Sequence, residues 1–129
     1  MRVIMGAMAA LLATGAAAAD KPIPPDDWRK MTLGKTLHYF KDGEPYGREY
    51  YMNPQGDVVF RFPNGVCAEG RWAYAEGKYC FAFGQELFCF HHVMRGDKIV
   101  VIGEEDGDEQ TIESISDHEP LSCAKEVSS

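Results

Sequence analysis

From residue 35 to residue 115 large apolar side chains recur at every second position, in short runs broken by Gly, Pro, Asn and Asp. Val58, Phe60 and Phe62 alternate with Val59 and Arg61. Trp72 and Tyr74 alternate with Arg71, Ala73 and Ala75. A period of two puts one face of an extended strand against a core and the other toward water. The pattern predicts eight strands: Thr36–Phe40, Arg48–Met52, Val58–Phe62, Val66–Tyr74, Tyr79–Phe83, Leu87–Met94, Lys98–Ile102 and Gln110–Ile115. Before them, Asp26 and Asp27 stand where they would cap a short helix through Trp28 and Met31, and Gly34 would end it.

The breaks are too short for parallel crossovers. Asn53-Pro54-Gln55-Gly56 and Phe62-Pro63-Asn64-Gly65 both read as tight turns with Pro second and Gly last. Ala75-Glu76-Gly77 and Arg95-Gly96-Asp97 are tighter still. Links of this length join antiparallel neighbours. The expected fold is all-β: an antiparallel meander forming a curled sheet or a small up-and-down barrel, since a sheet this wide hides its edges by curling or closing.

One hairpin has a readable register. Gly84-Gln85 suits a two-residue type II′ turn with Gly first. Phe83 then faces Glu86, Ala82 faces Leu87, Phe81 faces Phe88, and Cys80 faces Cys89. Counting outward from the turn, the two Cys fall on a non-hydrogen-bonded pair, where side chains approach most closely. Of the three ways to pair four Cys, this register selects Cys80–Cys89 and leaves Cys67 with Cys123. The same register puts Tyr79, Phe81 and Phe83 on one face with Phe88, Phe90 and His92. Cys80, Ala82, Leu87 and His91 share the other. The aromatic face is expected to form the core or to line a cavity.

Composition narrows the setting. Residues 1–19 hold one charge, Arg2, then an apolar stretch ending in Ala17-Ala18-Ala19, which reads as a cleaved export signal. Residues 20–129 would form a single disulfide-bonded domain, with no later apolar run of membrane-spanning length. Four Cys in a short exported chain read as two disulfides. The chain carries 13 basic and 20 acidic side chains, net −7. That sign disfavours nucleic acid and anionic membranes as partners. Five of the acidic residues lie between Glu104 and Glu109, so the excess is largely local.

Candidate chemistry is sparse. His91 and His92 are adjacent on a strand and point to opposite faces, so they do not share one metal ion. His92 could line a pocket with Tyr79, Phe81, Phe90 and Trp72. As metal ligands, His91, His92, Asp106 and Asp108 are weak candidates, because the Glu104–Glu109 run lacks the spacing of a calcium-binding loop. His38 and His118 have no ligand at zinc-site spacing. Arg95-Gly96-Asp97 reads as a turn, not as an integrin-binding tripeptide. No nucleophile elbow, zinc-protease helix or phosphate loop occurs, and the Cys are better used in disulfides than as nucleophiles.

Gly70-Arg71-Trp72 resembles the G-x-W signature of lipocalins, displaced here from the first strand to mid-chain. A wider resemblance runs from Gly34 to Met94. It rests on Gly34-Lys35-Thr36-Leu37, Tyr46-Gly47-Arg48-Glu49-Tyr50-Tyr51, Cys67-Ala68-Glu69-Gly70-Arg71-Trp72, Tyr79-Cys80-Phe81 and Cys89-Phe90-His91. These segments resemble small exported bacterial β-domain proteins with a G-x-W, C-F, C core. The resemblance implies a periplasmic, disulfide-bonded β-domain and carries over no catalytic residue. The sequence thus leads to a non-enzymatic periplasmic or secreted binding module without a cofactor, its partner a small apolar ligand or an envelope protein. The alternative expectation is a metal- or haem-binding protein using His92, His91 or the loop 104–109.

Overall fold

The computed structural model describes residues 19–127, with side chains to residue 124; the expected signal segment lies outside the described residues, apart from Ala19. Each predicted run is a strand: β2 (Lys35–Lys41), β3 (Glu44–Tyr51), β4 (Asp57–Arg61), β5 (Val66–Ala75), β6 (Lys78–Phe83), β7 (Glu86–Arg95), β8 (Lys98–Gly103) and β9 (Glu109–Asp117). Consecutive strands pair antiparallel, and β9 returns to pair with β2, from Lys35 opposite Asp117 to Phe40 opposite Thr111. The sheet is therefore a closed eight-stranded up-and-down barrel. Closure leaves no continuous free edge among these strands.

The hairpin register is as read from the sequence: Phe83 opposite Glu86, Phe81 opposite Phe88, Cys80 opposite Cys89. Gly84 has φ 64°, the value a type II′ turn requires at its first central residue. Both disulfides form, Cys80–Cys89 across the hairpin and Cys67–Cys123 between the outer face of β5 and the C-terminal tail.

Two short strands add to the eight expected. Strand β1 (Lys21–Pro22) lies along Val93–Met94 of β7, and β10 (Lys125–Val127) runs parallel to Val66–Ala68 of β5. Their positions follow from stagger in the barrel. Strand β6 pairs with β5 only over Arg71–Ala75 and with β7 only over Glu86–Phe90. The remaining stretches of β5 and β7 would show unpaired backbone on the β6 side, and the two short strands cover them. Neither has a hydrophobic alternation of its own, so neither was visible in the pattern.

The expected helix is present as α1 (Pro25–Thr32), but its start corrects the sequence reading. Pro24 occupies the capping position and Pro25 the first turn, with no side-chain cap bond. The fixed φ of proline begins the helix. Asp26 and Asp27 lie within the first turn, where their charge meets the positive end of the helix dipole.

Helix α1 seals one end of the barrel. Its Trp28 is fully buried and sits 4.3 Å, ring centre to ring centre, from His92, 5.7 Å from Tyr79 and 6.0 Å from Tyr51. Burial of an indole of this size supplies about 3 kcal/mol or more. The Tyr79 hydroxyl donates to the Ile23 carbonyl at 2.6 Å, and Arg29 lies over the Trp72 ring at 5.1 Å. The helix enters on the side of the β3–β4, β5–β6 and β7–β8 turns. The opposite rim carries the β2–β3, β4–β5, β6–β7 and β8–β9 turns, and no helix among the described residues covers it.

Candidate functional site

Beneath that uncovered rim the interior side chains leave a cavity of about 120 Å³. Its position follows from the strand period. Tyr39 on β2, Glu49 on β3, Phe60 on β4, Phe81 on β6, His92 on β7 and Val101 on β8 all point inward, and each is buried. Nearer the rim Tyr46, Phe62, Phe83, Phe90 and Gln110 are half-buried, and Phe88 is exposed. Two glycines make room for the rings. A Cβ on Gly47 would lie 2.5 Å from the tip of Phe60, and one on Gly70 would lie 2.6 Å from the Phe83 ring. The aromatic rings of β4 and β6 therefore occupy space that only glycine leaves open.

The wall is apolar except at a few points. Tyr39 donates its hydroxyl proton to Oε1 of Glu49 at 2.7 Å. Glu49 is 3% exposed, and among the described residues no Lys or Arg forms an ion pair with it. Burial pushes its carboxyl from the ordinary value up to about 7, with the Tyr39 hydrogen bond working in the other direction. Burial, then the neighbouring Glu49 charge, raises the Tyr39 and Tyr51 hydroxyls.

His92 is 2% exposed, and neither ring nitrogen has a hydrogen-bond partner. The imidazole stacks on Tyr79, centres 4.1 Å apart and planes 6° from parallel. Burial pushes its pKa down to about 3, so it is neutral at physiological pH, with one donor and one acceptor nitrogen. Leaving such groups unpaired costs about 1–3 kcal/mol each. A buried polar group without a partner is unusual enough in native proteins to call for a functional account.

The residues singled out from the sequence divide by depth. Phe81, Phe90 and His92 are on the cavity wall. Tyr79 and Trp72 share its phase but lie toward the sealed end, packed with Trp28. His91 points outward and is exposed, as strand alternation requires. In the β8–β9 loop Asp108 pairs with Lys41 at 3.0 Å and Asp106 accepts from the Asp108 backbone N–H at 2.9 Å. Glu104 pairs with Lys78, and Arg95 binds both Glu109 and Asp20. This loop is a partly neutralised surface turn. Among the described residues no three His, Cys, Asp or Glu side chains are grouped to hold a metal ion.

Glu49, Tyr39, Tyr46 and Gln110 belong to the cavity but were not singled out from the sequence. A signal for Glu49 was present: it stands two residues before Tyr51, in phase with it, so an inward Tyr51 implies an inward carboxyl.

Comparison of the chain with family profiles, curated proteins and solved structures finds no match.

Proposed function

We propose that the protein is an exported, non-enzymatic binding barrel that holds a small, mostly apolar molecule in the cavity beneath its uncovered rim. The observation that carries this reading is the pair of buried polar groups on a largely aromatic wall: Glu49, which has no ion-pair partner among the described residues, and His92, whose ring nitrogens have no hydrogen-bond partner. Small-molecule sites are mostly apolar concavities with a few convergent polar groups that fix orientation. The cavity is close in size to a buried apolar cavity of about 150 Å³ that binds benzene. The ligand, or the part of it that enters, is therefore of single-ring or short branched-chain size.

Export supports the same reading. Residues 1–19 have the form of a cleaved signal, and two disulfides suit an oxidising compartment. No helix among the described residues is long and apolar enough to cross a membrane. The resemblance to small exported bacterial β-domains agrees with a periplasmic or secreted location. For the alternative of a metal or haem at His92, no grouped ligand set occurs among the described residues, and a haem is much larger than the cavity.

The test is native mass spectrometry of the mature protein taken from the envelope fraction of its own cells. The expected spectrum contains a protein-plus-small-molecule species that collapses to the bare chain on collisional activation. A chain that is always bare, and that binds no member of a small-molecule panel, would overturn the reading.

A further inference from the structure

The cavity holds a carboxyl that no cation among the described residues pairs with. Removing a charged carboxylate from water is costly unless it is paired. The Tyr39 hydroxyl from β2 bonds Glu49 and Tyr51 neighbours it on its own strand, while Tyr46, His92 from β7 and Gln110 from β9 line the same cavity; none of them is cationic at neutral pH. The remaining walls are largely aromatic. Eight aromatic rings line the space, among them Tyr39, Phe60, Phe81 and Phe90. Aromatic rings grouped around a cavity attract ammonium groups through the ring quadrupole, most strongly where water is excluded. The neutral His92 ring completes the wall at its deep end, packed on Tyr79 and Trp28.

From these features we infer that the ligand is a small organic ammonium ion, its cationic head set among the aromatic rings with Glu49 as counter-ion. This assignment rests on the reading of the cavity as a ligand site and names the class of molecule that fills it. A neutral apolar ligand would leave the Glu49 charge uncompensated, and an anion would be repelled by it. The cation converts a buried charge into a buried pair. The site then favours the ionised carboxylate, so binding releases a proton below about pH 7 and tightens as pH rises toward that value.

The experiment uses three probes of nearly one shape: choline, its uncharged carbon isostere 3,3-dimethylbutan-1-ol, and the anion 3,3-dimethylbutanoate. Each is titrated calorimetrically into the full mature protein and into the Glu49→Gln variant at pH 8, with a thermal melt to show that the variant is folded. Choline is expected to bind at least tenfold more tightly than the alcohol. Glu49→Gln is expected to abolish that preference while leaving alcohol binding in place. Below pH 7 choline affinity should fall about tenfold per pH unit in the native protein and not in the variant. Equal or tighter binding of the alcohol would overturn the ammonium assignment and leave the binding barrel standing. Preference for the anion would overturn it in favour of a protonated Glu49 acting as donor. Failure of all three to bind would overturn the ammonium assignment, and the native mass spectrum would then decide the binding barrel separately.

Discussion

Replacing Glu49 by Gln should make the protein more stable at pH 8 and leave it almost unchanged near pH 4. The carboxyl is buried, and its pKa rises from 4.5 to about 7 on folding. Between those values the folded chain holds a proton that the unfolded chain has released. Stability therefore falls as pH rises through this window and is level above it. A rise of this size, at about 1.4 kcal/mol per unit, corresponds to about 3 kcal/mol. His92 works in the opposite sense. Its pKa falls from 6.5 to about 3, so the folded chain binds fewer protons and stability grows as pH rises across that range. The two slopes oppose one another through the shared interval, and the native profile alone conceals both. The difference between variant and native protein removes the His92 contribution and every other common titration. Gln keeps a carbonyl oxygen for the Tyr39 hydroxyl and resembles the protonated acid in shape. Urea unfolding of both proteins at unit pH steps from 4 to 8 should show the variant gaining about 3 kcal/mol over native as pH rises, with a plateau above pH 7. A difference that does not change with pH, or a variant less stable at pH 8, would refute the account of Glu49 as a buried, uncompensated carboxyl.

Trp28→Ala should cost about 3–5 kcal/mol in urea unfolding, because the indole is fully buried against Tyr51, Tyr79 and His92; a loss below about 1 kcal/mol would show that the helix does not seal the barrel. Gly70→Ala should cost about 1–3 kcal/mol and shift the NMR signals of Phe83, since the added Cβ would meet the Ala82 carbonyl oxygen and the Phe83 ring at 2.6 Å. Removing Cys67–Cys123 should cost about 4 kcal/mol and removing Cys80–Cys89 about 3 kcal/mol by loop entropy. The sequence separations are 56 and 9 residues, and double Ser variants showing the reverse order would contradict the entropic reading.

Period-two alternation made the barrel strands legible, because each carries one inward and one outward face. Gly84 and the facing Cys residues made one register legible to the residue, because the turn type and the close approach of side chains are local. Closure was less legible. Whether β9 meets β2 depends on stagger summed over every hairpin, and the bulges at His38–Tyr39 and Tyr39–Phe40 that adjust it leave no local mark. The cavity was legible only in part. Phe81, Phe90 and His92 follow from the hairpin phase, but depth along the barrel does not, and so Trp72 and Tyr79 were grouped with residues that lie nearer the rim. Glu49 went unmarked because a carboxylate in a strand ordinarily faces water. Its inward phase was in the pattern, but strand composition alone does not reveal a buried charge.

The most direct test of the central claim is methyl NMR of Val101, which lines the cavity and is 3% exposed, during titration with choline and with 3,3-dimethylbutan-1-ol. Binding inside the barrel predicts a saturable shift of the Val101 methyl signals with at least one of the probes, while surface methyls such as those of Leu87 stay in place. Val101 signals that stay fixed through both titrations, or shifts confined to the outer surface, would contradict it.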